Sequence, residues 1–202
     1  FYTLIMTFVF SVYFTDVFIT GEDGAQKLTL TQTISGLAIA LLSPILGSIT
    51  DIKGNRKLLM SITSLLFVLG MALLWYSPPG APDGIWLVMF GLILASAMVG
   101  FSEVFNNSVL ATIETPENSG WLSGMGYGVG YIAGLIALIL FLIIFVWPGG
   151  ETDNLYGLNT SEYEHIRIVG PLCAIWYAVF IVPLFLFTPD LKKKDVTVIN
   201  SI

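Results

Sequence analysis

Long apolar runs alternate with short polar ones along the whole chain, and the length of the apolar runs decides what they are. Six of them, at about 1–19, 30–50, 58–76, 85–105, 121–147 and 168–188, approach or exceed the ~20 residues that carry a helix across a ~30 Å hydrocarbon core. The breaks between them hold the turn formers and most of the charge. They are Thr20 to Thr29, Asp51 to Lys57, Ser77 to Gly84, Asn106 to Gly120 and Pro148 to Arg167. Gly, Pro, Asn and Asp recur in these breaks and stop helices. The pattern predicts an all-α polytopic membrane protein: one bundle of six transmembrane helices over 1–188, then a polar tail at 189–202. Phe1 opens inside an apolar run, with neither the basic region nor the cleavage site of a signal peptide, so the chain reads as a piece of a longer protein.

Polar residues inside the spans fall into patterns. Thr3, Thr7, Ser11 and Thr15 recur every four residues and form one stripe on the first helix. Lipid offers hydroxyls no partners, so the stripe faces a neighbouring helix or a wet cavity. Asp16 falls at headgroup level. In the fourth span Ser96, Gly100, Glu103 and Asn107 are spaced four, three and four, and share a face if the helix runs that far. The fifth span is rich in glycine. Gly126, Gly130 and Gly134 make a small-residue ladder suited to close helix packing, while Ser123, Tyr127 and Tyr131 line another face, as cavity or interface residues.

Composition narrows the chemistry. Hydrophobic residues make up 55% of the chain and charged residues 11%, well below the roughly 25% of a soluble domain. A net charge of -6 argues against nucleic acid as a partner and against a polybasic lipid-binding surface. The single cysteine, Cys173, lies in an apolar run and reads as a small buried hydrophobe. His165, alone between Glu164 and Ile166, reads as a solvated loop residue rather than a metal ligand. Asn159-Thr160-Ser161 fits a glycosylation acceptor, a pattern common by chance. No His-Glu-x-x-His, no Ser/His/Asp set and no paired carboxylates at one depth occur, so neither an enzyme nor a metal or other cofactor is expected. Six basic residues, Lys53, Arg56, Lys57, Lys192, Lys193 and Lys194, fall on the side of the 51–57 turn, against Lys27 and Arg167 on the other. That bias places the turn and the tail in the cytoplasm.

Gly47, Asp51, Gly54, Arg56 and Lys57 stand between the second and third spans at the spacing of a known loop signature. In this respect the chain resembles the major facilitator superfamily, with Ile52 in place of an expected base. Phe105 to Leu110, Thr115-Pro116-Glu117 and the run Gly120 to Leu135 look like the vacuole effluxer-like branch, as does Val182 to Phe187. The resemblance covers nearly the whole chain and corresponds to the first six of about twelve helices. It implies a secondary transporter half that moves a small polar solute by alternating access, with amino-acid efflux as the family-based expectation. It also implies a second six-helix bundle as partner, in the same full-length chain or a second copy. On that model Thr3, Thr7, Ser11, Ser96, Glu103, Asn107, Tyr127 and Tyr131 are candidate cavity-lining residues. The loop signature becomes a conformational latch between bundles. The membrane expected is the cell's inner membrane rather than a vacuolar one. Span four has no arginine, and Tyr131 stands where the antiporter signature has proline, so neither proton coupling by that route nor exchange is implied. The alternative is a non-transporting six-helix scaffold or assembly subunit.

Overall fold

The computed structural model describes residues 1–53, 56–80, 82–113, 118–150 and 153–187. Helix α1 spans Tyr2–Phe18, α2 Glu22–Lys53, α3 Arg56–Leu73 with a 3-10 turn at Leu74–Tyr76, and α4 Ile85–Ile113. Helix α5 covers Ser119–Phe141 and continues through a π-helical turn at Leu142–Val146 into Trp147–Gly149. A two-residue hairpin, β1 Asn154–Leu155 and β2 Leu158–Asn159, leads to the short α6, Glu164–Arg167, and then to α7, Val169–Phe187. Five of these helices are long and apolar enough to cross a membrane; α1 is a shorter apolar helix. Helix α4 packs on α2 and α3, α3 packs on α7, and α1 meets α5. The main core gathers Phe10, Phe14, Phe67, Met71, Val88 and Val169. A second cluster of Met60, Ala97, Phe101 and Phe105 lies toward the end bearing residues 51–57. Leu41, Leu65, Trp86, Ile132 and Val179 are all more than half exposed. Such apolar outer faces suit hydrocarbon and would be untenable in water.

The element boundaries differ from the hydrophobicity pattern where charge and helix geometry cooperate. Residues 22–29, expected as loop, form the first turns of α2. Glu22 and Asp23 sit in the first helical turn, where carboxylates favour the exposed N–H groups and the positive end of the macrodipole. Gly21 makes the sharp entry at φ +85°, a conformation other residues resist. Helix α4 runs on to Ile113, so Asn107 shares a continuous helix with Glu103. His165 is buried rather than solvated. It is packed against Gly149, where a Cβ would strike the imidazole ring, and Tyr163 stacks on it at 5.8 Å. Local sequence gave no hint of this, because the burying surfaces come from α5 and from the turn before α6.

Helix α1 explains its own periodicity. An α-helix turns about 100° per residue, so a four-residue repeat drifts by about 40° at each step. Here α-helical turns alternate with π-helical ones at Met6–Phe10 and Phe14–Phe18, whose i→i+5 bonds wind more residues into each turn. The drift is thereby reduced. Ile5 and Met6, Val9 and Phe10, and Tyr13 and Phe14 are buried at four-residue intervals, while Thr3 and Thr7 are exposed and Ser11 and Thr15 half-buried. Thr15 also donates to the Ser11 carbonyl at 3.1 Å, satisfying its hydroxyl within the helix.

Helices α3 and α4 meet backbone to backbone at Gly70 and Gly91. A Cβ on either would lie 2.8 Å from the other's carbonyl oxygen. Without side chains here the backbones meet directly, the geometry that lets helices associate in lipid. Gly70→Val or Gly91→Val should therefore lower stability by about 1–3 kcal/mol, the usual cost of overpacking. Gly128 has nothing within 4 Å of its Cβ position, so Gly128→Ala should leave stability unchanged or slightly raised. Thermal unfolding of the three variants in one detergent checks the ordering.

Candidate functional site

Helix α4 presents polar side chains on more than one face, and each meets a different neighbour. Ser96 Oγ and Tyr2 Oη of α1 are 2.7 Å apart. Six residues on, Ser102 Oγ lies 3.0 Å from Tyr177 Oη of α7, and the same phenol lies 3.0 Å from Ser64 Oγ of α3. The Tyr177 ring also packs on Phe67, with centroids 4.5 Å apart. Three helices thus share one hydroxyl knot inside an apolar bundle, where an unpartnered hydroxyl would be costly. The sequence pattern singled out Ser96 but none of Tyr2, Ser64, Ser102 or Tyr177. A lone tyrosine midway along an apolar span was the available signal, since a phenol there must find a partner.

Glu103 follows Ser102 directly yet points elsewhere. Tyr127 of α5 donates its phenolic hydrogen to Glu103 Oε1 at 3.3 Å, and both residues are exposed on the bundle surface. These two are the candidate cavity residues that the fold brings into direct contact. Asn107, one turn along α4, is exposed on the same helix; Tyr131, one turn along α5, is 64% exposed. Thr3 and Thr7 are exposed on α1 and Ser11 is half-buried. The carboxylate, phenols, amide and hydroxyls of these residues carry hydrogen-bond acceptors and donors. Among the described residues no three His, Cys, Asp or Glu side chains converge on one point.

The glycine ladder divides. Gly134 is packed against α1, its Cβ position 3.0 Å from the Phe1 nitrogen and 3.1 Å from Leu4 Cδ1. Gly126 and Gly130 have nothing within 4 Å of their Cβ positions, so among the described residues they pack no helix. Close packing falls instead to Gly70 and Gly91, and to Gly170, whose Cβ would lie 2.5 Å from the Met71 carbonyl. Of the loop signature, the side chains of Asp51 and Arg56 and the whole of Gly54 lie outside the described residues. Gly47 sits on α2 with open space at its Cβ position. Lys57 Nζ donates to the Phe185 carbonyl of α7 at 3.1 Å, a partner inside its own bundle that the signature did not suggest.

An apolar bundle of membrane-length helices with a polar exposed face defines an integral membrane protein. The family model of the Major Facilitator Superfamily matches residues 1–200, and the chain belongs to that family. Its members carry small solutes across the lipid bilayer and are generally not enzymes. No curated protein and no solved structure matches the chain.

Tyr177→Phe should destabilise the bundle by about 1 kcal/mol, the net worth of a typical buried hydrogen bond. Ser64→Ala or Ser102→Ala should cost less, because the phenol keeps its other partner. Tyr131→Phe, on an exposed position, should be neutral. Unfolding midpoints of the purified variants provide the measurement.

Proposed function

We propose that the chain is the N-terminal half of a secondary transporter that moves a small polar solute, an amino acid in the first instance, by alternating access. The observation that carries this reading is the Glu103–Tyr127 pair on an exposed polar face within membrane-length helices. Ionisable groups within apolar spans are expensive to keep and serve as functional candidates by default. Glu103 can hold the ammonium of a zwitterionic solute, while Tyr127, Tyr131, Asn107 and the hydroxyls of Thr3, Thr7, Ser11 and Ser96 engage its polar remainder. Residues 51–57 and the tail 189–202 face the cytoplasm in this scheme, in the cell's inner membrane.

The partner is a second six-helix bundle. Gly126 and Gly130 offer a small-residue surface with open space beside it, and Gly47 does the same on α2. Two bundles rocking about a midplane site would close against these faces in one state and part in the other. Asp51 and Arg56, with Gly54, then act as the latch that holds one of those states.

Reconstituted full-length protein should move labelled neutral amino acids into or out of liposomes. Glu103→Gln should lower the rate about 10-fold or more, the scale set by losing one hydrogen bond to a charged group. Tyr127→Phe should lower it less. A panel of small polar solutes that shows no movement, with the protein inserted and folded, would overturn the transport reading in favour of a scaffold. For the latch, Asp51→Asn should shift the accessibility of engineered cysteines between the two membrane faces without reducing insertion. Unchanged accessibility on both faces would remove it.

A further inference from the structure

Helices α3 and α7 run antiparallel and are tied at both ends by the same chemistry in opposite directions. At the end bearing residues 51–57, Lys57, the second residue of α3, donates to the carbonyl of Phe185 near the close of α7, at 3.1 Å. At the other end, Arg167 stands just before α7 and donates to the carbonyl of Trp75 in the last turn of α3. Its Nε lies 2.9 Å from that oxygen, and Nη2 donates to it as well. The guanidinium also lies over the Trp75 ring, 5.0 Å from the centroid, and Nη1 reaches the Glu162 carbonyl at 3.4 Å.

The register of the two ties is the same. Ten residues separate Lys57 from Phe67 and Arg167 from Tyr177; eighteen separate Lys57 from Trp75 and Arg167 from Phe185. Phe67 and Tyr177, the equivalent midpoints, face each other with ring centroids 4.5 Å apart. In sequence register, exchanging α3 with α7 therefore exchanges one tie with the other. Each cation satisfies carbonyls that a helix end leaves without intrahelical partners, and each sits where the macrodipole favours positive charge.

We propose that Lys57 and Arg167 are reciprocal staples that fix α3 and α7 as one rigid post. Each base at the start of one helix closes the C-terminal end of the other, and Tyr177 fastens the middle of the post to α4 through Ser102. Lys57, read from sequence as part of an inter-bundle latch, is in this view a positioning residue of its own bundle. The two ends are held independently, because the staples share no atoms and lie a helix length apart.

The test uses the full chain in lipid nanodiscs, with Cys173→Ala and pairs of spin labels. Labels at Leu58 and Leu186 report the Lys57 end, and labels at Tyr76 and Pro171, which line the same groove, report the Arg167 end. Both distance distributions should be narrow in the parent. Lys57→Met should broaden the first and spare the second; Arg167→Met should do the reverse, while Lys57→Arg keeps both narrow. Narrow distributions in both methionine variants, or equal loosening of the two ends by either one, would overturn the proposal. Where a methionine variant does not insert, thermal midpoints of Lys57→Gln, Arg167→Gln and the double variant decide. Independent staples give additive losses; no loss in either single variant, or a double no worse than one single, overturns the idea.

Discussion

The direct backbone contact between Gly70 and Gly91 is the constraint on which the bundle depends. In hydrocarbon the hydrophobic effect does little to drive helices together, so association rests on close packing and on polar groups that find partners inside the protein. With α3 and α4 in contact through main-chain atoms, the flanking layers follow. Ala95 fills the next position along α4, and Met71 turns its carbonyl toward Gly170 of α7. Helix α3 is thus held by backbone on two sides. That close approach also brings Ser64, Ser102 and Tyr177 within hydrogen-bonding distance of one another.

The polar side chains in the spans answer a second demand of the same solvent. Thr29, Thr31, Thr33, Ser35, Ser61 and Thr63 each return their hydroxyl to the carbonyl four residues back, which makes them tolerable against lipid or protein alike. A hydroxyl in an apolar helix is therefore weak grounds for a site. Those that reach across helices, as Tyr2, Ser64, Ser102 and Tyr177 do, carry more information, and so does a carboxylate such as Glu103, which has no backbone donor within its own helix to turn to.

The bundle of apolar helices was legible because run length is a coarse property that a single mutation does not erase. The loop signature was legible because its spacing is local. What could not be read came from contacts between distant segments. The 22–29 stretch looked like loop because its charges dominate its composition, although those same carboxylates suit a helix start. The glycines most visible in sequence, Gly126 and Gly130, lie open among the described residues, whereas Gly70, isolated in an apolar run, meets the backbone of α4 directly. His165 looked solvated because its neighbours in sequence are charged, while its neighbours in space are Gly149 and the ring of Tyr163. The four-residue hydroxyl repeat on α1 was visible, but its match to π-helical winding depends on hydrogen bonds that no residue pattern announces.

Contacts around α4 give the exposed carboxylate a mechanical setting. Ser102 and Glu103 are consecutive, one turned to the Tyr177 knot and the other to Tyr127 of α5. A rotation of α4 about its axis cannot preserve both contacts, since the two side chains project about 100° apart from one rigid helix. The knot belongs to α3 and α7, which Lys57 and Arg167 bind at their ends, whereas α5 over Gly126 and Gly130 has open space to move into. Of the two contacts, the Glu103–Tyr127 bond is the one with freedom to break. In the proposed transport cycle, a solute that supplies its own donor to Glu103 would replace the Tyr127 hydroxyl and free the first half of α5, beyond the Gly134 contact with α1, without disturbing the post.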